Sequence, residues 1–559
     1  MSKNLLLKKL LERRKNKTTL LDRLLFAILG IGFLMMIAFF VYLLWFTLTN
    51  RSATYILPAE KTVAYFELKD LTLPPRLDQK TIFNLTGLSA VLKQTFQLDM
   101  EDLQEQLSQG RLGLALIKNG DNKNKLVLFF RIRSQKQALA FFEGLGMGGE
   151  KLTVSGDKKL PIYSYPQSNH FSFSFIGPYL FIAEKPSTLE MIQAVYRGED
   201  ANLNADPAYR KSLANLPRQA WGYGYLNIQA LYFGDNNPLS QLIDPLKNIT
   251  DHLVLTIQKE YNGFHFNTLL SLDPKLLALK KGYTDSTRFA YSLADFLGSQ
   301  NLAAYIGGAN LSDEWQNTLE TISQLNPAYG IILEGVVRAQ VNRIFGEDVS
   351  LRNDIYPLFE GEYALAFEYL ENGQLGIKLI LKHNDRTFAE VKLKKLLEGF
   401  QTLAAQFAPR LKEFTLPDGT ESRELVADPS RLKEISEIYE DYEINCLDVS
   451  DSAYGFCYAV TDELIIMGNH PESIKETIDL SISPRFILSQ SQSFRQALSN
   501  LSAVSDEITF VDLQNLHPLL MNTPLGVYSQ NLLSSFEAVT WIKHYFNDGV
   551  STEGYLLLK

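Results

Sequence analysis

Leu24 to Leu48 reads LLFAILGIGFLMMIAFFVYLLWFTL, 25 residues without a charge. As a helix, at 1.5 Å per residue, it spans about 37 Å, enough to cross a ~30 Å hydrocarbon core. Tyr42 and Trp45 stand near its distal end, where amphipathic rings favour the interface. The run is too long for a signal-peptide core, and TLTNRSATY after it offers no clear A-x-A cleavage site. Beyond residue 55 the pattern changes. Short stretches alternate apolar and polar with period two and are rich in aromatic and β-branched residues, which predicts strands. They fall at Val63–Leu68, Arg111–Lys118, Leu126–Arg133, Phe171–Ile176, Tyr179–Ala183, Ala220–Asn227, His252–Lys259 and Phe264–Leu272. Helical patterns come between. One starts at Ser134 as N-cap, and another at Pro186-Ser187, closed by Gly198. The turns Tyr261-Asn262-Gly263 and Asn547-Asp548-Gly549 are expected to close hairpins.

The outer pattern is written twice. The 26 residues from Asp206, DPAYRKSLANLPRQAWGYGYLNIQAL, align without a gap at an offset of 285 with SQSFRQALSNLSAVSDEITFVDLQNL from Ser491. Identities include Arg210/Arg495, Asn215/Asn500, Gln229/Gln514 and Leu231/Leu516. Upstream, Phe171–Leu189 matches Phe456–Ile474, which pairs Pro186 with Pro471. GRLGLALI near Gly110 also fits GEYALAFE near Gly361. The expected fold class is α+β. One N-terminal transmembrane helix precedes two related α+β modules with mostly antiparallel or mixed sheets and helices packed on one side. The expected division is a basic cytoplasmic tail at 1–23, the transmembrane helix at 24–48, a first module at 55–275, a linker at 276–297 and a second module at 298–559.

Charge adds an orientation. Ahead of the span, Lys3, Lys8, Lys9, Arg13, Arg14, Lys15, Lys17 and Arg23 face only Glu12 and Asp22, a net +6. The whole chain carries −9, so the remainder carries −15. The positive-inside rule then places the N-terminus in the cytoplasm and residues 50–559 outside, in a single-pass cell-membrane topology, with the tail available to anionic headgroups. An acidic outer part argues against nucleic acid as a partner. The composition, 46% apolar and 21% charged, excludes wholesale disorder.

Catalytic patterns are missing. There is no P-loop, no G-x-S-x-G elbow and no H-E-x-x-H. The glycines from Gly144 to Gly149 follow a helix, whereas a dinucleotide fingerprint follows a strand. The seven histidines lack metal-ligand spacing. No catalytic residue, cofactor or metal is expected. The run Glu434, Glu437, Glu440, Asp441 is expected on a solvated helix face. Cys446 and Cys457 lie in two strands about a turn at Ser450–Ala453, and antiparallel pairing about its midpoint sets them opposite one another. Outside the cytoplasm such a pair is expected to oxidise. Ser172 holds the place of Cys457 in the first module, so the bond would be a local staple. Trp221, Tyr223 and Tyr225 alternate across Gly222 and Gly224 and are candidates for a flat-ligand face. Their counterparts Asp506, Ile508 and Phe510 favour a core face instead.

The opening ILPAEKTVAYFEL, with Leu57, Pro58, Ala59, Glu60, Ala64 and Tyr65, resembles the bacterial domain-of-unknown-function family numbered 3352. So do the later RxxLxNLP-type segment and the strand after it. One more residue separates the acid from the Ala-Tyr pair than in that family's pattern. The resemblance covers most of residues 56–520. It implies a repeated α+β extracytoplasmic region behind a membrane anchor, and it implies no activity. The expected role is a non-enzymatic binding or structural envelope protein with an envelope protein or lipid as partner. The alternatives are a carrier or chaperone with an apolar groove for lipids or secreted chains, and an envelope hydrolase assembled from distant carboxylates or histidines.

Overall fold

The structure is a computed structural model. It describes residues 56–69, 108–118, 124–145, 151–165, most of 171–231, 250–272 and most of 291–559. Residues 1–23 and the apolar run at 24–48 lie outside the described residues. Among the described residues no helix is long and apolar enough to cross a membrane. The chain forms two compact units. In terms of described residues they are 56–272 together with 544–559, and 291–543.

The first unit starts with β1 (Thr62–Leu68), β2 (Ser108–Lys118), β3 (Asn124–Ile132) and helix α1 (Gln135–Leu145). The hairpins β4 (Thr153–Asp157) with β5 (Leu160–Ser164) and β6 (Ser172–Ile176) with β7 (Tyr179–Ala183) come next, followed by α2 (Pro186–Tyr196). β8 (Gly222–Asn227), β9 (Thr250–Lys259) and β10 (Gly263–Leu272) close the sequence. The expected strands are present to within two or three residues at their ends, and β4 and β5 are additional. Ser134 Oγ accepts the Gln137 N–H at 3.4 Å, the capping role foreseen for it. Gly198, at φ +79°, donates to the Val195 carbonyl at 3.0 Å and stops α2.

The second unit holds β11 (Leu302–Gly308), α3 (Pro327–Phe345), β12 (Tyr363–Tyr369), β13 (Leu375–Lys382) and α4 (Arg386–Phe407). A separate hairpin, β14 (Pro409–Thr415) with β15 (Glu421–Ala427), follows. Then come β16 (Leu432–Tyr439), β17 (Tyr442–Val449), β18 (Phe456–Val460), β19 (Leu464–Gly468), α5 (Pro471–Ile482) and α6 (Gln492–Ser499). The last elements are β20 (Glu507–Asp512), α7 (Leu513–Met521), β21 (Phe536–Phe546) and, in the first unit, β22 (Gly549–Leu558).

Every pairing between the described strands is antiparallel. In the first unit the order is β4-β5-β6-β7-β3-β2-β1-β8-β9-β10. In the second it is β16-β17-β18-β19-β13-β12-β11-β20-β21. The two sheets therefore share one strand order. Helices occupy corresponding places, α1 and α4 before the outer hairpins and α2 and α5 after β7 and β19.

Two sequence expectations fall out differently. The expected second module runs through 298–559, yet residues 544–559 group with the first unit, where β22 pairs along its length with β10, from Gly263↔Leu557 to Ser271↔Gly549. Gly263 permits this approach, because a Cβ there would lie 2.3 Å from the Leu556 carbonyl oxygen. The acidic run Glu434–Asp441 is a hairpin and not a helix face. Glu434 and Glu437 lie on β16, and Glu440 and Asp441 form a two-residue turn with φ of 49° and 68° between Tyr439 and its partner Tyr442. Strand pairing overrides the helical i,i+3 spacing of the carboxylates, and positive φ at both turn residues matches the right-handed twist of the strands.

In the second unit Leu393, Leu396 and Leu397 of α4 pack with Leu447, Tyr458, Val460 and Ile465 of the sheet, and all are buried. Leucines three and four apart form one face of the helix, so this burial follows directly from the sequence spacing.

Candidate functional site

Trp221, just before β8, and Tyr223 and Tyr225 on it pack against separate neighbours. Trp221 packs on Phe264 with ring centroids 5.4 Å apart. Tyr223 receives Lys69, whose Nζ lies 3.2 Å from its hydroxyl and 4.4 Å from its ring centroid. Tyr225 points into a trio with Tyr65 (6.2 Å) and Tyr209 (5.1 Å, nearly perpendicular). The Tyr65 and Tyr209 hydroxyls hydrogen-bond to each other. Burial pushes the Tyr209 phenol up to about 12 and raises Tyr225 as well. His252, beside Tyr225, is lowered by burial. The spaces beside Gly222 and Gly224, which suggested room for a flat ligand, are filled by protein. A Cβ on Gly222 would lie 3.1 Å from Leu68, and one on Gly224 would lie 3.3 Å from Leu255, with Phe66 at 3.5 Å from both.

The second unit holds the same arrangement. β11 pairs with β20 so that Tyr305 faces Phe510, as β1 pairs with β8 so that Tyr65 faces Tyr225. Phe494 stands where Tyr209 stands, 6.1 Å from Tyr305 and 5.2 Å from Phe510. Tyr225 thus occupies a packing position that carries phenylalanine in the other unit. The paired glutamines also have one role. Gln229 donates to the Thr250 carbonyl at 3.2 Å, and Gln514 to the Phe536 carbonyl at 2.8 Å, each at the first residue of the next strand.

Cys446 and Cys457 are directly opposite in the β17–β18 pair and are joined by a disulfide, S–S 2.05 Å. The corresponding pair on β5 and β6 is Ser164 and Ser172, whose hydroxyls lie 2.7 Å apart. Sequence comparison located only one half of that pair, because the paired serines are 8 residues apart and the paired cysteines 11.

Three ionic clusters escaped the sequence reading, since their members meet only in the fold. On β13, Lys378 is fully buried and pairs with Glu368 of β12 at 3.1 Å and Glu476 of α5 at 2.7 Å. Burial opposes ionisation of Lys378 and Glu368, but their mutual attraction wins. The lysine is raised and the glutamate lowered. Asp354 takes Lys392 at 2.7 Å, Lys395 at 2.6 Å and the Ser350 N–H at 2.8 Å. Burial pushes its carboxyl up, and these donors outweigh that and bring it to about 2. Glu362 binds Lys382 at 3.0 Å and accepts the Leu293 N–H at 3.1 Å, while Ser292 contacts both Lys382 and Glu362.

A serine beside a lysine invites a nucleophilic reading. That chemistry needs an amine with a lone pair to take the hydroxyl proton. Here Glu362 meets the lysine and also accepts from Leu293 at the start of a short helical turn at Ser292–Phe296. The cluster is a cap. Among the described residues no group of three or more His, Cys, Asp or Glu is arranged to hold a metal ion.

The fold is thus an antiparallel α+β sheet protein whose described ionic clusters are internally paired. The chain matches the family described as Protein of unknown function (DUF3352) over residues 85–409, and it belongs to that family. No curated protein matches it. Among solved structures, crystal forms III and I of TP0453 align at 11% identity each, with TM-scores of 0.24 and 0.23. They cover 39% and 38% of this chain and 80% and 76% of those chains.

Proposed function

We propose that the protein is a single-pass, membrane-anchored extracytoplasmic protein with a non-enzymatic binding or structural role in the cell envelope. The observation that carries the reading is the uncharged run at 24–48, basic on one side and followed on the other by two sheets of one strand order. The shared order and the shared aromatic trio are accounted for by duplication of one module. A membrane-bound scaffold of two like modules presents surfaces and needs no reaction centre. The internal ion clusters agree with this, because Lys378, Asp354 and Lys382 each have their charge met by a neighbouring side chain. The groove-carrier reading draws no support from the α4 layer, whose contact with the sheet is filled with side chains.

Protease added to intact cells tests the topology. Residues beyond 50 are expected to be digested while the basic tail survives in the membrane fraction. An ectodomain that resists digestion until the cells are opened overturns it. In-cell cross-linking of the full chain, with identification of bound proteins and lipids, then tests the binding role.

A further inference from the structure

The sheet of the second unit ends on β16, and that edge is open. β16 pairs with β17 on one side, and among the described residues no strand pairs with its other side. Lys433, Glu434, Ile435 and Ser436 are exposed, and Ile438 is 81% exposed. Proteins ordinarily blunt such an edge. The first unit does so, because its corresponding strand β4 has only five residues and contains Gly156 at φ +81°. β16 has eight residues and no such interruption.

The turn fixes which backbone groups face outward. Tyr439 and Tyr442 flank a two-residue turn with both φ positive, so they form a hydrogen-bonded pair, and every second residue back along β16 does the same. Lys433, Ile435, Glu437 and Tyr439 therefore direct their N–H and C=O groups to β17. Those of Leu432, Glu434, Ser436 and Ile438 point away from the sheet. An antiparallel partner must match outward residues to outward residues. A second copy of β16 does this about a two-fold axis at Ile435. Leu432 then faces Ile438 of the second copy, and Glu434 faces Ser436 of the second copy, as hydrogen-bonded pairs. Between them, Lys433 faces Glu437 and Ile435 faces Ile435 at the closer, non-hydrogen-bonded spacing. The two-fold repeats each pair, so both lysines meet a glutamate and no like charges are opposed. Moving the axis to Glu434 sets glutamate on glutamate, and moving it to Ser436 sets Lys433 opposite Tyr439.

The neighbouring charges are compatible with this register. Glu437 holds Lys475 of α5 at 2.7 Å, and Glu443 accepts the Ser436 hydroxyl at 2.7 Å, so both acids are already met within one copy. Lys433 neighbours Asp448 in the ladder. The Glu440-Asp441 turn falls outside the paired segment, at the end of the second copy's strand that follows Arg431.

We propose that β16 is the interface of a two-fold homodimer, in which the sheets of two second units join edge to edge through residues 432–438. The proposal goes beyond the envelope role and needs neither the anchor nor its orientation, since every residue it uses lies on β16.

The test uses the full chain in detergent, the two native cysteines being bonded to each other. I435C places one cysteine of each copy on the axis, at a Cα separation of about 4.5 Å, within reach of a disulfide. Mild oxidation is expected to give a covalent dimer, where L425C on the exposed β15 gives little. K433E opposes glutamates twice and E437K opposes lysines twice, so each is expected to weaken dimerisation by about tenfold in sedimentation. Mixing the K433E and E437K chains restores both opposite-charge pairs, and association is expected to return towards that of the parent. Chains that had failed to fold could not recover in this way. A parent chain that sediments only as a monomer overturns the proposal, as does I435C that cross-links no better than L425C. A mixture no more dimeric than its two components also overturns it and assigns any dimer to another surface.

Discussion

The two sheets solve one packing problem with opposite chemistry. In the second unit Glu368, Lys378 and Glu476 form a buried ionic trio between β12, β13 and α5. Register identifies the corresponding positions in the first. Lys378 pairs with Gly468, and its counterpart Val127 pairs with Ala183, the residue that aligns with Gly468. Glu368 corresponds to Ile117 on β2, and Glu476 to Met191 on α2. Ile117 and Val127 are fully buried. The three positions of the ion trio are therefore apolar in the first unit. A buried ion pair is weak evidence for net stability, because desolvation offsets attraction, but losing one partner is severe. K378M alone is expected to cost the second unit about 3–5 kcal/mol. The triple change E368I/K378V/E476M, which installs the first unit's residues, is expected to return to within about 1 kcal/mol of the parent or exceed it. Denaturant unfolding followed by hydrogen exchange in β13 measures both. A triple variant no better than the single one would break the equivalence.

The outer hairpins make a second contrast, covalent against hydrogen-bonded. Cys446–Cys457 closes a separation of 11 residues, for which the loop-entropy account allows at most about 3 kcal/mol. C446S/C457S gives the second unit the seryl pair of the first, where Ser164 and Ser172 meet at 2.7 Å. Its loss should stay below that ceiling, since the hydroxyls can satisfy each other. Intact mass with and without reductant is expected to differ by about 2 Da, and equal masses would remove the staple from the comparison.

These contrasts show what was legible in the sequence. Strands with alternating patterns, such as Tyr179–Ala183, stood out because period two survives in any context. The cysteine register followed from symmetry about one turn. β4 was missed because its five residues are all exposed, so no apolar alternation marks it. β22 could not be assigned to its neighbour, because pairing across nearly 290 positions leaves no local trace. The ionic clusters were invisible for a related reason. Glu368 and Lys378 read as ordinary charges in amphipathic strands until the fold buries them.

Charge also sets how the second unit responds to acid. Asp354 ionises at about 2 in the fold against an ordinary 3.8. Its folded value is depressed, so the stability it contributes is complete above the ordinary value and is lost as pH falls from about 4 towards 2. Exchange in α4 and at residues 350–355 is expected to rise over that interval. D354N should cost about 1.5–3 kcal/mol at neutral pH, the worth of hydrogen bonds to a charged group, and should flatten the acid response. An unchanged acid profile in D354N would place the acid sensitivity of this unit elsewhere.

The smallest effect tests the likeness of the units most closely. Tyr65, Tyr209 and Tyr225 match Tyr305, Phe494 and Phe510, so the trios differ chiefly in hydroxyls. In the first unit the Tyr65 and Tyr209 hydroxyls hydrogen-bond to each other. In the second the Tyr305 hydroxyl is fully buried and has no hydrogen-bond partner. Y209F should then cost about 1 kcal/mol by removing the buried hydroxyl–hydroxyl hydrogen bond, whereas F494Y should be neutral or gain up to about 1 kcal/mol by offering the Tyr305 hydroxyl a partner. Base adds a second reading of the same pair. The Tyr209 phenol is raised to about 12 in the fold, so its contribution is complete below about 10 and fades as pH climbs from 10 to 12. Y209F should lose that fading. Opposite signs for the two substitutions mean that the trios are one structure differing by a single hydrogen bond. Equal signs mean that the rings only resemble each other, and that each unit packs its aromatic core by its own rules.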